Sequence, residues 1–104
     1  MSASLPTQLE ALEARSPQHY GTFRRHLPLL RTALNDATRP YPTSRQLYDQ
    51  LEDPPIPPHT FGRLVALLVD FAIIGIYTER SSANRYDIRA YDSAALKELE
   101  VLLA

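Results

Sequence analysis

The sequence has no cysteine and only three glycines, Gly21, Gly62 and Gly75. Without cysteine there are no disulfides, no thiolate metal sites and no cysteine nucleophile, which fits a reducing compartment. The three scattered glycines build no phosphate cradle: no Walker loop, G-x-G-x-x-G or G-x-S-x-G occurs. The histidines, His19, His26 and His59, form no H-x-x-x-H or H-E-x-x-H pair, so no metal site is expected. No apolar run approaches the ~20 residues that span a bilayer. The N-terminus lacks the charged and apolar regions of a signal peptide. Asp49, Glu52 and Asp53 could share one side of a helix, where carboxylates do acid–base work or hold a cation, but the same placement describes a solvated helix end. These absences leave an enzyme nothing to stand on. The expectation is a cytoplasmic protein with no catalytic residues, cofactor, metal or small-molecule ligand, and no membrane association.

What is present is an ordinary single-domain chain of 104 residues, 44% hydrophobic and long enough to bury a core without staples. Net charge is −1, which speaks against a strongly basic coat, but its distribution is uneven. Residues 1–14 hold Glu10 and Glu13 and no base; residues 15–89 hold ten arginines against seven acids, a net of +3; residues 92–104 hold three acids and Lys97. Ten of the eleven bases are thus arginine. Arginine suits bidentate contacts to phosphate and guanine, although a GC-rich genome yields the same bias.

Residues 1–15 open with Thr7-x-x-Glu10, a capping box, ahead of Leu5, Leu9 and Leu12 at helical spacing. Ser16-Pro17 starts a second helix carrying Tyr20, Phe23, Leu27, Leu30 and Leu34, and Pro28 is expected to break it near His26-Leu27. After the stiff connector Thr38–Pro42, Thr43 and Gln46 form a second capping box, and Leu47, Tyr48 and Leu51 face inward. Pro54, Pro55, Pro57 and Pro58 forbid helix or central strand, with Ile56 as an apolar plug under the turn. A helix over 58–71 follows, striped by Phe61, Leu64, Val65, Leu68 and Phe71, with Leu67 left over on the outside. Residues 73–80 and 85–91 read as strands around the turn Ser81–Asn84. Asp92 or Ser93 caps a last helix with Leu96, Leu99, Leu102 and Leu103. The fold class expected is mainly α with a small β-hairpin (α+β), in the element order of a winged helix-turn-helix. Residues 1–27 form an N-terminal extension, 28–91 the winged domain and 92–104 a closing helix, with the terminal leucines as candidate dimer surfaces.

In a helix-turn-helix the second helix enters the major groove and its first residues touch base edges. Here those are His59, Thr60 and Arg63, with Arg63 matched to guanine and Thr60 to a phosphate or thymine methyl. Gly62 and Ala66 are small enough to let the helix approach closely. Thr43, Ser44 and Arg45 open the preceding helix, whose amides suit a phosphate. The hairpin tip, Arg80 to Arg85 with Ser82 and Asn84 between, is placed to touch the backbone or minor groove. Arg39 and Arg89 extend the basic surface. The blander reading makes these solvated residues, with Arg80 and Arg85 paired to Glu79 and Asp87.

Residues 28–91 resemble winged helix-turn-helix domains of archaeal type, through the phrases Thr43–Leu51, Thr60–Val65 and Leu68–Ile74. The layout from Leu27 to Leu103 is similar to the C-terminal winged-helix domain of archaeal origin-recognition initiator proteins. Two departures stand out: Ala72 replaces the usual glycine before the wing, and the initiators' ATPase module is missing. The resemblance implies double-stranded DNA binding, hence a nucleoid-associated protein; the reading is a transcriptional regulator, expected as a homodimer because one module offers few base contacts and a symmetric pair doubles them. The alternatives are a protein–protein interaction module without DNA binding and an origin-binding initiator or accessory protein lacking an ATPase.

Overall fold

Proline and the small polar residues set most of the element boundaries in the computed structural model, which describes residues 4–78 and 84–104. Helix α1 spans Leu5–Arg15. It begins two residues before the expected Thr7 cap, because Pro6 fits a first helical turn, where its missing N–H costs nothing. Thr7 instead shares a 3.0 Å hydrogen bond with Ser4 Oγ. Leu9 and Leu12 are buried against α2.

Helix α2 runs unbroken over Pro17–Asn35, with Ser16 Oγ accepting from the His19 amide. The break expected near His26-Leu27 does not occur. Pro28 is exposed, whereas Phe23, Leu27, Leu30, Ala33 and Leu34 are buried on both sides of it. Ending the helix there would unpack that stripe, which outweighs one lost amide hydrogen bond. The boundary expected between residues 27 and 28 therefore falls inside one helix, and α1 shares a single core with the rest of the chain.

Helix α3, Ser44–Asp49, carries the expected capping box: Thr43 Oγ1 accepts from Gln46 N at 3.1 Å, and Gln46 Oε1 accepts from Thr43 N at 3.0 Å. Ile56 is buried under the proline turn, where Tyr48 Oη donates to its carbonyl at 2.7 Å. Helix α4, Pro58–Asp70, packs its apolar stripe inward. Leu67, expected outside, is only 7% exposed. The core of this small domain reaches α4 from two sides, with Phe61 packed edge-on against Tyr48, and Phe71, just beyond the helix, edge-on against Phe23.

Ala72 ends α4 at φ 59°, in the left-handed region. Ala72 N donates to Val69 O and Ile73 N to Leu68 O, both at 2.9 Å, which is the Schellman pattern. Ile73 and Ile74 are core residues at this turn, so strand β1 starts only at Gly75 and is described over Gly75–Thr78, residues 79 and 80 lying outside the described residues. It pairs antiparallel with β2, Arg85–Asp87. The return strand expected over 85–91 stops early, because Asp87 Oδ1 takes the Arg89 amide and turns Ile88–Ala90 into a 3-10 turn. The other edge of β2 meets the connector: Tyr86 N donates to Pro42 O, Ile88 N to Pro40 O, and Thr43 bridges Arg85. Prolines fit there because only their carbonyls are used.

Asp92 caps α5, Ser93–Leu103, whose Leu96, Leu99 and Leu103 are buried. Leu102 points outward instead, 41% exposed beside Val101 at 71%. Arg31 pairs with Glu100 at 3.2 Å, and Arg24 donates to the Leu103 carbonyl at 2.8 Å. Among the described residues the protein is an α+β fold, five α-helices and a two-stranded hairpin. No helix there is long and apolar enough to cross a membrane.

Candidate functional site

The residues singled out from the sequence fall into two neighbouring groups. The first stands at the start of α4. Pro57 caps this helix without a side-chain hydrogen bond, and its first turn holds no acidic residue. The first helical backbone bond is Phe61 N to Pro57 O, so the His59 and Thr60 amides precede the hydrogen-bonded ladder. His59 and Arg63 are exposed and Thr60 is half-buried. They do not stand on an open helix face. The start of α2 lies alongside, and Gln18, His19 and Thr22 close a cleft of about 210 Å³ with His59, Thr60 and Arg63. Arg63 Nη1 lies 2.9 Å from His19 Nε2, with Arg63 the donor when that ring nitrogen is unprotonated. Among the described residues no carboxylate lines the cleft. Two helix starts, an arginine and two imidazoles thus meet in one place, an arrangement favourable to an anion.

Gly62 does not serve close approach to an outside partner. A Cβ there would meet Ser44 Oγ at 3.3 Å, so its smallness lets α4 cross the start of α3. Ala66, by contrast, is exposed.

The second group surrounds the start of α3 and the hairpin. Thr43 and Gln46 already satisfy each other's backbone amides, which leaves less of this short helix for a phosphate than the sequence implied. Arg45 lies along its own helix, 3.0 Å from Asp49 and 5.9 Å over the Tyr48 ring. Both ends of that ion pair are exposed, so it is weak and readily exchanged for another anion. Asp49 is thus an ion-pair partner, and no cluster of potential metal ligands exists among the described residues. Among the described residues Arg85 pairs with no carboxylate, and its Nη1 donates to the Tyr41 carbonyl at 3.1 Å; Glu79 lies outside the described residues. Asn84 hydrogen bonds to Tyr86, whose hydroxyl pKa is nonetheless raised by burial. Arg80 and Ser82 lie outside the described residues.

Five residues, Gln18, His19, Thr22, Tyr41 and Tyr77, entered the site only with the structure. His19 and Gln18 carry no sequence signal, since which side of α2 faces α4 depends on how the helices cross. Tyr41 and Tyr77 stack with ring centroids 3.8 Å apart and 20° between planes. Arg89, expected on the basic surface, donates to Tyr41 Oη at 3.0 Å. That hydrogen bond, aided by the Tyr41 and Asp87 charges, holds the guanidinium pKa above its ordinary value. No family model, curated protein or solved structure matches this chain.

Proposed function

We propose that the chain binds double-stranded DNA as a winged helix-turn-helix and acts as a dimeric transcriptional regulator without catalysis. The observation that carries this reading is the start of α4: a cationic cleft, lined by no carboxylate among the described residues, beside a proline-stiffened turn to α3. In this reading α4 enters the major groove, Arg63 leaves His19 to contact a guanine, and Thr60 meets a phosphate or a thymine methyl. Phosphates flanking the groove meet the start of α2 at Gln18 and His19, a contribution from the N-terminal extension. The hairpin, joined to the start of α3 through Thr43 and Arg85, follows the backbone or minor groove.

Dimerisation is part of the same proposal, because one module offers few base contacts and a symmetric pair doubles them. Leu9, Leu12, Leu96, Leu99 and Leu103 are occupied in the protein's own core, so they are not its surface. Val101 and Leu102 on α5 remain exposed.

The second reading is a protein-interaction module. It is favoured by the exposed apolar residues Ile76, Tyr77, Val101 and Leu102, and no longer by Leu67, which is buried. Titration of labelled mixed-sequence duplex separates the two. With about four phosphate contacts the slope of log affinity against log salt is about −3.6, so binding falls on the order of 100-fold between about 50 and 200 mM salt. Absence of duplex binding at the lower salt would remove the DNA reading and leave the interaction module. Selection from random duplex then identifies the site, and a mass measurement of the free protein tests the dimer.

A further inference from the structure

Strand β1 contains a bulge. Gly75 faces Asp87 and Ile76 faces Tyr86, but the next pair is Thr78 with Arg85, which leaves Tyr77 as the extra residue. A bulge bends the strand and re-aims the side chain of that residue. The Tyr77 ring is laid on that of Tyr41 while remaining 57% exposed. Tyr41 sits on a stiff support, since it lies between Pro40 and Pro42, whose carbonyls are tied to the Ile88 and Tyr86 amides. Two guanidiniums edge the stack: Arg89 on the Tyr41 hydroxyl and Arg85 on the Tyr41 carbonyl. Each has five N–H donors, so both retain capacity for an anion. The nearby Asp87 carboxylate accepts from the Arg89 backbone amide.

We propose that the Tyr41–Tyr77 stack, edged by Arg85 and Arg89, is a binding site for an unpaired nucleotide, with the base on the open face of Tyr77 and the phosphate on the arginine edge. A planar ring presented parallel to a second ring is ready to accept a third flat group, and base-on-aromatic stacking tolerates any base because each has a π-face. Forked guanidiniums match phosphate oxygens in pairs. A nucleotide satisfies ring and cations together, because its base and phosphate are joined through one sugar. A peptide would have to bring an aromatic and an acidic side chain into the same geometry. The site involves neither α4 nor its cleft, so it stands whether or not α4 reads a groove. Its consequence is affinity for single strands or frayed ends. The nucleotide could belong to a strand or be free.

The probes are a fluorescein-labelled oligothymidylate about 12 nucleotides long and thymidine 5′-monophosphate, used with the full chain at about 50 mM salt. The oligomer is expected to bind. Tyr77→Ala should weaken binding about 5- to 150-fold, and Tyr77→Phe, which keeps the ring, should stay within about twofold of wild type. Arg89→Gln should reduce the slope against log salt by about 0.7 in magnitude. Tyr77→Ala should weaken binding by the same factor in an Arg63→Ala background, which separates this site from the α4 cleft. Displacement by monophosphate at the same nucleotide concentration assigns the site to free nucleotides; displacement only at a large excess assigns it to strands. Thermal melts of each variant verify folding. The proposal is overturned if neither probe binds, or if folded Tyr77→Ala binds the oligomer as tightly as wild type.

Discussion

Substituting Ala72 by glycine should make the protein more stable, although it deletes a methyl group and touches no ligand. Ala72 is the residue that lets the chain leave α4 for the hairpin, and it does so at φ 59°. An L-residue with a Cβ in the left-handed region is strained by about 1–2 kcal/mol, and glycine is not. Ala72 is exposed, so its methyl contributes little packing. Glycine adds freedom to the unfolded chain, which costs about 0.4–1 kcal/mol. The difference leaves a net gain of about 0.5–1 kcal/mol. With an unfolding entropy of about 2.1 cal/mol/K per residue, a chain of this length should gain about 2–5 °C in Tm. Thermal and urea unfolding followed by circular dichroism measure this directly, and the urea slope should not change. Ala72→Val is the matched opposite: a β-branched side chain at the same φ should lose more than about 1 kcal/mol. If glycine lowers Tm, or valine leaves it unchanged, the Schellman ending at Ala72 is not the conformation that links α4 to β1.

Three further outcomes are expected. Arg63→Ala should cost about 1–3 kcal/mol at a selected duplex site and relax preference at one base pair; if affinity and preference both stay put, α4 is not in the groove. Thr43→Ala removes the acceptor for the Gln46 amide and should cost about 1 kcal/mol in denaturant unfolding, whereas Thr43→Ser should recover most of it. Burial and then the neighbouring Arg25 lower the folded-state pKa of His26 below 6.5. The unfolded chain therefore binds the proton first as pH falls, so stability is lost on acidification through about 6.5. Melts across that range should show Tm dropping, with a smaller drop in His26→Gln; equal slopes would remove His26 as the cause.

The parts of this protein that were legible in the sequence are those decided within a few residues. Ser16-Pro17 and the Thr43–Gln46 box start helices because the cap and the amide it satisfies are three positions apart. The prolines at 54, 55 and 57 keep the turn out of the helix and Pro58 fits the first position of α4, with Ile56 buried beneath the turn. The apolar stripe of α4 follows from helical period alone. The mainly helical α+β fold class is a sum of such local facts.

Tertiary packing decided the rest. Pro28 is a helix breaker by local chemistry, yet α2 continues through it because the buried residues on either side belong to one core. The early end of the returning strand is the local exception, since the Asp87 carboxylate captures the amide two residues on, a competition that alternation of apolar residues does not reveal. His19 reaches Arg63 across 44 positions, and Tyr41 meets Tyr77 only because the connector lies along β2 and a bulge turns the ring outward. Local sequence dictates which elements form. Which side chains from separate elements share a surface depends on how those elements cross, because that crossing is set by the shape of the whole core.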